Sequence, residues 1–353
     1  MKHSSIKIAI SLLSLCLFFL FSCSENSVNI KFTKFPNEYS LKATDISLDE
    51  FYKHGRLHFY DTLTIITNTP GDKKQIHIYN KNFKYITSSG AIGRGPGEIT
   101  NPFLATLDDE NGVIWFLDMG KKKILKFPLD SMLINPRFLP TEAIPIPSEI
   151  PIILGYASIG ENLFSFSNIF SNSVLIAFQN KKGDIIDSLE IVKSNQLKNL
   201  DNISPKQPLA TYMYKKHPNK NLFAIGYRFS DIIAIINAKG EVIAISQGPD
   251  MINQVPDASK RDQLSTYTDI QCDENYIYAL YRGDHVFDDN MNLVVPKTIH
   301  VFSWDGTPVA KLNIEHSGVA LTIQNNPKSF FTFSMSTGGI VSYNFPDNLK
   351  QQK

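Results

Sequence analysis

The sequence predicts an all-β fold: a six-bladed β-propeller with four antiparallel strands per blade, closed by an N-terminal strand. Three observations predict it. An apolar strand returns six times, as TLTIITN (62–68), VIWFLD (113–118), NLFSFSN (162–168), NLFAIGYR (221–228), YIYALYR (276–282) and SFFTFSM (329–335), and the copies end 50 to 60 residues apart. A period of this size with strands inside each unit is the mark of blades arranged around an axis. Second, hairpins follow these strands, as in IHIYNKNFKYI (76–86), LIAFQNKKGDII (175–186), IIAIINAKGEVIAI (232–245) and IHVFSWDGTPVAKL (299–312). Third, the strands are near-continuously apolar, as expected when both faces of every sheet pack on neighbours, and no stretch holds a helical period for more than about two turns.

The elements follow in order. Lys2 and Lys7 precede an apolar run from Ile8 to Phe21 that only Ser11 and Ser14 interrupt. It falls short of the roughly 20 residues that span a bilayer but suits a secretory leader. The run ends in Leu20-Phe21-Ser22-Cys23, which resembles the lipobox of bacterial lipoproteins. The resemblance implies cleavage before Cys23, acylation of its thiol and of the new amine, and a lipid-anchored protein of the outer membrane. Residues 1–22 are then a signal peptide, 23–40 a polar tether, 41–348 the propeller and 349–353 a tail. The next element, LKATDISL (41–48), is a strand standing alone.

The body divides into units near 55–102, 103–150, 151–208, 209–262, 263–317 and 318–348. In their hairpins Gly183, Gly240 and Gly306 occupy turn positions that need positive φ, which glycine reaches without a Cβ clash. ILKFPLDSMLI (124–134) reads as a weaker hairpin of the same kind. The last unit has only three strands, ALTIQ (320–324), SFFTFSM and GIVSYNF (339–345), so the orphan strand at 41–48 is expected to complete it and hide its edge.

Charge excludes one class of partner. The chain has 35 basic and 34 acidic residues. Such a balance provides no field to gather nucleic acid, and no basic stripe with interleaved aromatics is present. Beyond the leader and Cys23 only Cys272 remains, so no intramolecular disulfide is available, and Cys272 reads as a small buried hydrophobe.

Gly93-Arg94-Gly95-Pro96-Gly97-Glu98, followed by Asn101-Pro102, the turn Asp109-Glu110-Asn111-Gly112 and the strand ending in Asp118, resembles an NHL repeat. With the lipobox, the chain is similar to TolB-like six-bladed propeller lipoproteins of Bacteroidota. Tyr281-Arg282-Gly283 and the later His300 to Gly306 stretch fit that family too. Most of its members have no assigned biochemical role.

In a propeller the b–c loops and the loops between blades share one face, and here they include the long loops 90–102, 192–209, 246–262 and 283–297. Ligands are expected there. Aligned strand ends place Asn68, Asp118, Asn168, Arg228 and Arg282 near that rim. Tyr227-Arg228 and Tyr281-Arg282 recur in adjacent blades, so two guanidinium groups flank one sector of a funnel. Arginine forks bind carboxylates, phosphates and sugar hydroxyls, and tyrosines stack on sugar rings. The alternative is that each arginine pairs with an acid such as Asp231 or Asp284. Arg94 lies on the same face, where it is expected to cap loop carbonyls.

The acidic loop with Asp284, Asp288, Asp289 and Asn290 lacks the alternating order of a calcium loop and reads as solvated. No metal or cofactor is expected. Catalytic signatures such as His-Glu-x-x-His and Gly-x-Ser-x-Gly are missing. Asp61-Thr62-Leu63, Asp130-Ser131-Met132 and Asp187-Ser188-Leu189 resemble the O-glycosylation acceptor that Bacteroidota use on exported proteins. The expectation is a non-enzymatic module of the envelope that binds a ligand or an envelope protein. Its rivals are a hydrolase or lyase acting on glycans or peptides through funnel carboxylates, and a scaffold subunit.

Overall fold

The computed structural model describes residues 29–350, apart from 51, 53, 148–152, 159–162, 169–174, 191–211, 253–262, 317, 319, 326–327 and 336–337. Three short strands come first: β1 (Asn29–Phe32), β2 (Glu38–Leu41) and β3 (Thr44–Ile46). The first sheet is β4 (Arg56–Tyr60), β5 (Leu63–Thr67), β6 (Lys74–Asn80) and β7 (Tyr85–Ala91). The second is β8 (Pro102–Asp108), β9 (Val113–Asp118), β10 (Lys123–Pro128) and β11 (Ala143–Pro145). The third is β12 (Ile153–Ser158), β13 (Leu163–Asn168), β14 (Leu175–Asn180) and β15 (Ile185–Glu190). The fourth contains β16 (Tyr212–Lys216), β17 (Leu222–Tyr227), β18 (Ile232–Asn237) and β19 (Val242–Gln247). The fifth contains β20 (Leu264–Cys272), β21 (Tyr276–His285), β22 (Thr298–Ser303) and β23 (Pro308–Ile314). β24 (Thr322–Asn325), β25 (Lys328–Phe333) and β26 (Ile340–Asn344) make the sixth with β3. The fold is an all-β propeller.

Strand alternation explains why the apolar runs are continuous. On β5, Ile65 packs into a core shared with the second sheet, while its neighbour Ile66 packs with Phe331 and Phe333 of the sixth. On β9, Phe116 faces the first sheet, and Trp115 and Leu117 face Ala177 of the third. Successive side chains leave a strand on opposite faces, so a strand with a core on each side needs apolar residues at every position. Each buried Ile or Phe of this kind contributes about 1.5–3 kcal/mol. The same pattern places the third and fourth sheets around Ile176 and Phe223, the fourth and fifth around Ala224 and Tyr267, and the fifth and sixth around Tyr278 and Phe330.

The hairpin glycines have the backbone their positions demand, with φ of 92° at Gly183, 77° at Gly240 and 80° at Gly306. The weaker hairpin at 124–134 is not a hairpin. β10 ends at Pro128 and runs into a short helix, α1 (Leu129–Ile134). Proline cannot donate to the ladder, and Leu129 and Met132, three apart on one helix face, are buried. The outer strand comes later, with β11 pairing antiparallel to β10.

The stretch expected to be a featureless tether contains paired strands. β1 adds in parallel to β19, and β2 adds in parallel to β23. β3 then pairs antiparallel with β26, at Ile340–Ile46, Val341–Asp45 and Ser342–Thr44. The chain between residues 29 and 46 therefore covers three successive sheet edges, removing the unpaired ladders that would template aggregation. Lys31 fixes the first step by donating to the carboxylate and carbonyl of Asp305, each at 2.9 Å. Polarity alone misled here, because an edge strand facing solvent carries polar residues as a tether does.

Candidate functional site

The recurring Tyr-Arg pair stands where the fourth and fifth sheets meet. β17 ends at Tyr227, and β21 carries Tyr281 and Arg282. Thr266 of β20 joins the two sheets. Its amide donates to the Arg228 carbonyl at 2.7 Å, and its hydroxyl lies 2.7 Å from the Tyr227 carbonyl and 2.9 Å from that of Ser230. Two register shifts between β20 and β21, at Ser265/Tyr267 and Tyr267/Asp269, bend this corner. Bulges of this kind re-aim side chains at the end of a ladder. Gly283 follows at φ 64°, where a Cβ would lie 2.5 Å from the Tyr281 ring.

Both guanidinium groups are partly withdrawn from water. Arg228 Nε and Arg282 Nε and Nη1 are buried and have no hydrogen-bond partner, as is the hydroxyl oxygen of Ser265. Burial, then the charge of Arg228, pushes the Arg282 guanidinium down to about 10, with Asp284 opposing. Burial also lowers Arg228. Each unsatisfied group of this kind costs about 1–3 kcal/mol, more when charged. Among the described residues no carboxylate forms an ion pair with either arginine, so the expected pairing with Asp231 or Asp284 is not made. Asp284 instead accepts from the His285 amide at 2.7 Å. An anion with two or more acceptor oxygens would supply what these groups lack.

The tyrosines do not offer stacking surfaces. Tyr227 and Tyr281 are each 5% exposed. The Tyr281 hydroxyl donates to Asp250 Oδ2 at 2.5 Å, and its ring stacks on His300 at 4.2 Å. Burial holds the His300 imidazole neutral, pushed down to about 3. These side chains position the loop before residue 253 rather than face a ligand.

Asp231 is fully buried at the same junction. Its Oδ2 accepts from the Asp250 amide at 2.8 Å, while Oδ1 has no hydrogen bond. Burial raises its carboxyl to about 6, against the pull of nearby amides. The folded value exceeds the unfolded one of about 3.9, so the native state takes up the proton first. Asp231 therefore costs stability above pH 6, and the cost fades as pH falls toward 4. Asp231→Asn is expected to raise stability by roughly 2–3 kcal/mol at pH 8 and by nearly nothing at pH 4. Urea denaturation of both proteins across that range checks this, and a pH-independent difference would contradict it.

Asp118 and Arg94 lie in the second sheet's sector, away from the paired arginines. Asp118 is fully buried, and its carboxylate accepts from four amides: Thr100 at 2.8 Å, Asn101 at 2.9 Å, Gly120 at 2.9 Å and Lys121 at 3.3 Å. With its lone pairs so used, it is the staple of the glycine-rich turn and not a ligand contact. Arg94 is exposed. Lys121 caps the loop instead, donating to the carbonyls of Gly95 at 2.8 Å and Glu98 at 2.6 Å. Glu98 accepts from the Gly95 amide at 2.7 Å, over a Gly93 whose Cβ would lie 2.0 Å from the carboxylate.

The remaining sequence features are structural. Asp288 accepts from the amides of Asn290 and Asn292 at 2.9 and 2.8 Å, closing its own turn, and no cluster of three metal-ligating side chains occurs among the described residues. Cys272 is half-buried rather than fully buried. Its thiol donates to the Lys216 carbonyl at 3.2 Å, and burial pushes it up to about 12, so it stays protonated. Cys23 and the leader lie outside the described residues.

Sequence reasoning missed an axial cavity of about 280 Å³ lined by β4, β8, β16, β20 and β24. Arg56, His58, Lys215 and Asp269 face it. Inner strands carry no recurring motif, so only the alternation of their side chains could have nominated these residues.

Comparisons with known proteins agree with this architecture. The model of a family described as TolB-like 6-blade propeller-like matches residues 31–326. No curated protein matches the sequence. A DUF4221 family member from Bacteroides vulgatus superposes with a TM-score of 0.64 at 10% identity, covering 87% of this chain and 96% of that one. A Bacteroides fragilis protein described as exported superposes with a TM-score of 0.54 at 12% identity, covering 90% of this chain and 98% of that one. At such identities the likeness is one of fold.

Proposed function

The chain belongs to the TolB-like 6-blade propeller-like family, and from that premise we propose that it is a ligand-binding or protein-interaction module of the bacterial envelope, which takes an anionic group between Arg228 and Arg282. The observation that carries this reading is the set of three buried guanidinium nitrogens without partners. Two like charges are held at a loop-rich junction with no ion pair among the described residues, and a carboxylate or phosphate of a ligand supplies both charge and acceptors. The scaffold is read as a ring of six blades closed where β3 completes the last sheet, which fixes the two arginines relative to one another.

The alternative hydrolase reading would draw on Asp231 and Asp250. Asp231 is sealed from solvent and Asp250 is held by Tyr281. Both serve the loop, which favours binding over catalysis.

Calorimetric titration of the wild-type protein with glucuronate and with inorganic phosphate tests the site. One anion per chain should bind, and Arg228→Met should weaken binding at least tenfold. Unchanged affinity in that variant would sink the assignment.

Anchoring rests on Leu20-Phe21-Ser22-Cys23. An acylated Cys23 would carry more than the two signals that stable anchoring needs. Cys23→Ala is expected to abolish fatty-acid labelling of the protein in cells, and persistent labelling would refute the lipobox.

A further inference from the structure

The axial cavity is built by alternation along five inner strands. Leu57, Ala105, Tyr214 and Ile270 each point into a core between sheets. The positions on either side of them line the cavity as well: Arg56 and His58 on β4, Leu104 and Thr106 on β8, Met213 and Lys215 on β16, Asp269 and Gln271 on β20. Four charged side chains line it, Arg56 and Lys215 against Asp109 and Asp269. Asp269 Oδ2 accepts from the Leu321 amide at 2.8 Å, and Oδ1 lies 4.0 Å from Arg56. That carboxylate offsets one cation. Lys215 has no hydrogen bond or ion pair with any described residue, although it lies within the field of both Asp269 and Arg56.

His58 adds no charge. The single hydroxyl proton of Thr67 goes to Asn68 Oδ1 at 3.2 Å, so Thr67 accepts from His58 Nε2 at 3.0 Å. This fixes the proton on Nε2 and leaves Nδ1 a lone pair. Burial, then the charges of Arg56 and Lys215, pushes the ring down to about 3. Asp109 also lines the cavity but is exposed to solvent. Lys215 thus has Asp269 as its nearest opposing charge but no hydrogen bond or ion pair among the described residues, beside apolar surface from Leu104, Met213 and Ile323.

We infer that the axial cavity is a second ligand site, separate from the paired arginines, which takes a small organic carboxylate with its anionic head on Lys215 and its apolar body against Leu104, Met213 and Ile323. Three features select this class. A monoanion matches Lys215, the lining cation without an ion pair among the described residues, whereas a phosphate dianion would compete with Asp269 for Arg56 as well. Leu104, Met213 and Ile323 give a small hydrocarbon body three apolar side chains to lie against. The volume of about 280 Å³ lies at the lower end of small-molecule pockets, roughly 300–1,000 Å³.

Titration calorimetry with benzoate as the probe tests the inference on the full folded domain. Benzoate should bind once per chain. Lys215→Met should weaken it at least tenfold, Lys215→Arg should retain it, and Arg228→Met/Arg282→Met should leave it unchanged. Met213→Trp, which fills the cavity without changing its charge, should block benzoate and so guards against misfolding of the lysine variant. No benzoate binding, binding indifferent to Lys215→Met, or binding that survives Met213→Trp overturns the site. Inorganic phosphate binding as tightly as benzoate, with the same dependence on Lys215, overturns the carboxylate assignment. Because the two arginines line no part of this cavity, failure here is distinguishable from failure of the site at Arg228 and Arg282.

Discussion

Asp118→Ala is expected to destabilise the protein by about 3–5 kcal/mol, a loss in the upper tail for single substitutions. The reason is the orphaning of donors rather than the loss of a charge. Four backbone amides converge on this one buried carboxylate, and no solvent reaches it to take over. A hydrogen bond to a charged group contributes about 1.5–3 kcal/mol, and stranded buried amides add their own desolvation. The four are not additive, because the turn will relax. Asp118→Asn keeps one acceptor oxygen and should lose about half as much. Arg94→Ala, on the exposed surface of the same turn, should fall within about 0.5 kcal/mol of wild type. Chemical denaturation of the three variants checks the ranking. Equal effects from Asp118→Ala and Arg94→Ala would show that the turn is not held from Asp118.

Arg282→Met is expected to act in the opposite direction. It should raise stability by about 1–3 kcal/mol while removing the response to anions. Replacing buried charges by apolar groups of similar volume is often stabilising, and here no ion pair is lost in the exchange. The substitution also removes the group that the charge of Arg228 depresses. A site that is strained when empty and satisfied when occupied trades stability for binding. Thermal melts with and without 10 mM-scale glucuronate, on the order of a saturating dose for a weak site, separate the two effects. A lower melting temperature in the variant would mean that Arg282 is a structural group.

What was legible in the sequence depended on periodicity. The recurring strands at 62–68, 113–118, 221–228, 276–282 and 329–335 all fall on the second strand of a sheet, because two flanking cores force apolar residues into every copy. Gly183, Gly240 and Gly306 were legible for the equally local reason that their φ is positive. The arginine pair could be found because it breaks the repeat identically in two neighbouring units. Other features follow from tertiary placement that no local pattern encodes. The partners of Asp118 lie 2 to 18 residues away, on both sides of a turn. The parallel addition of β1 to β19 joins positions more than 200 residues apart. Tyr227 and Tyr281 look like stacking groups in sequence, yet Tyr227 packs into the core between the third and fourth sheets and Tyr281 into that between the fourth and fifth.

The most direct measurement is a crystal structure of the protein soaked with glucuronate. The carboxylate oxygens should lie within about 3 Å of Arg228 Nε and of Arg282 Nε or Nη1, so that the guanidinium nitrogens without partners become donors to one anion. A carboxylate bound elsewhere, with both guanidinium groups satisfied by acidic side chains of the protein itself, would contradict the assignment.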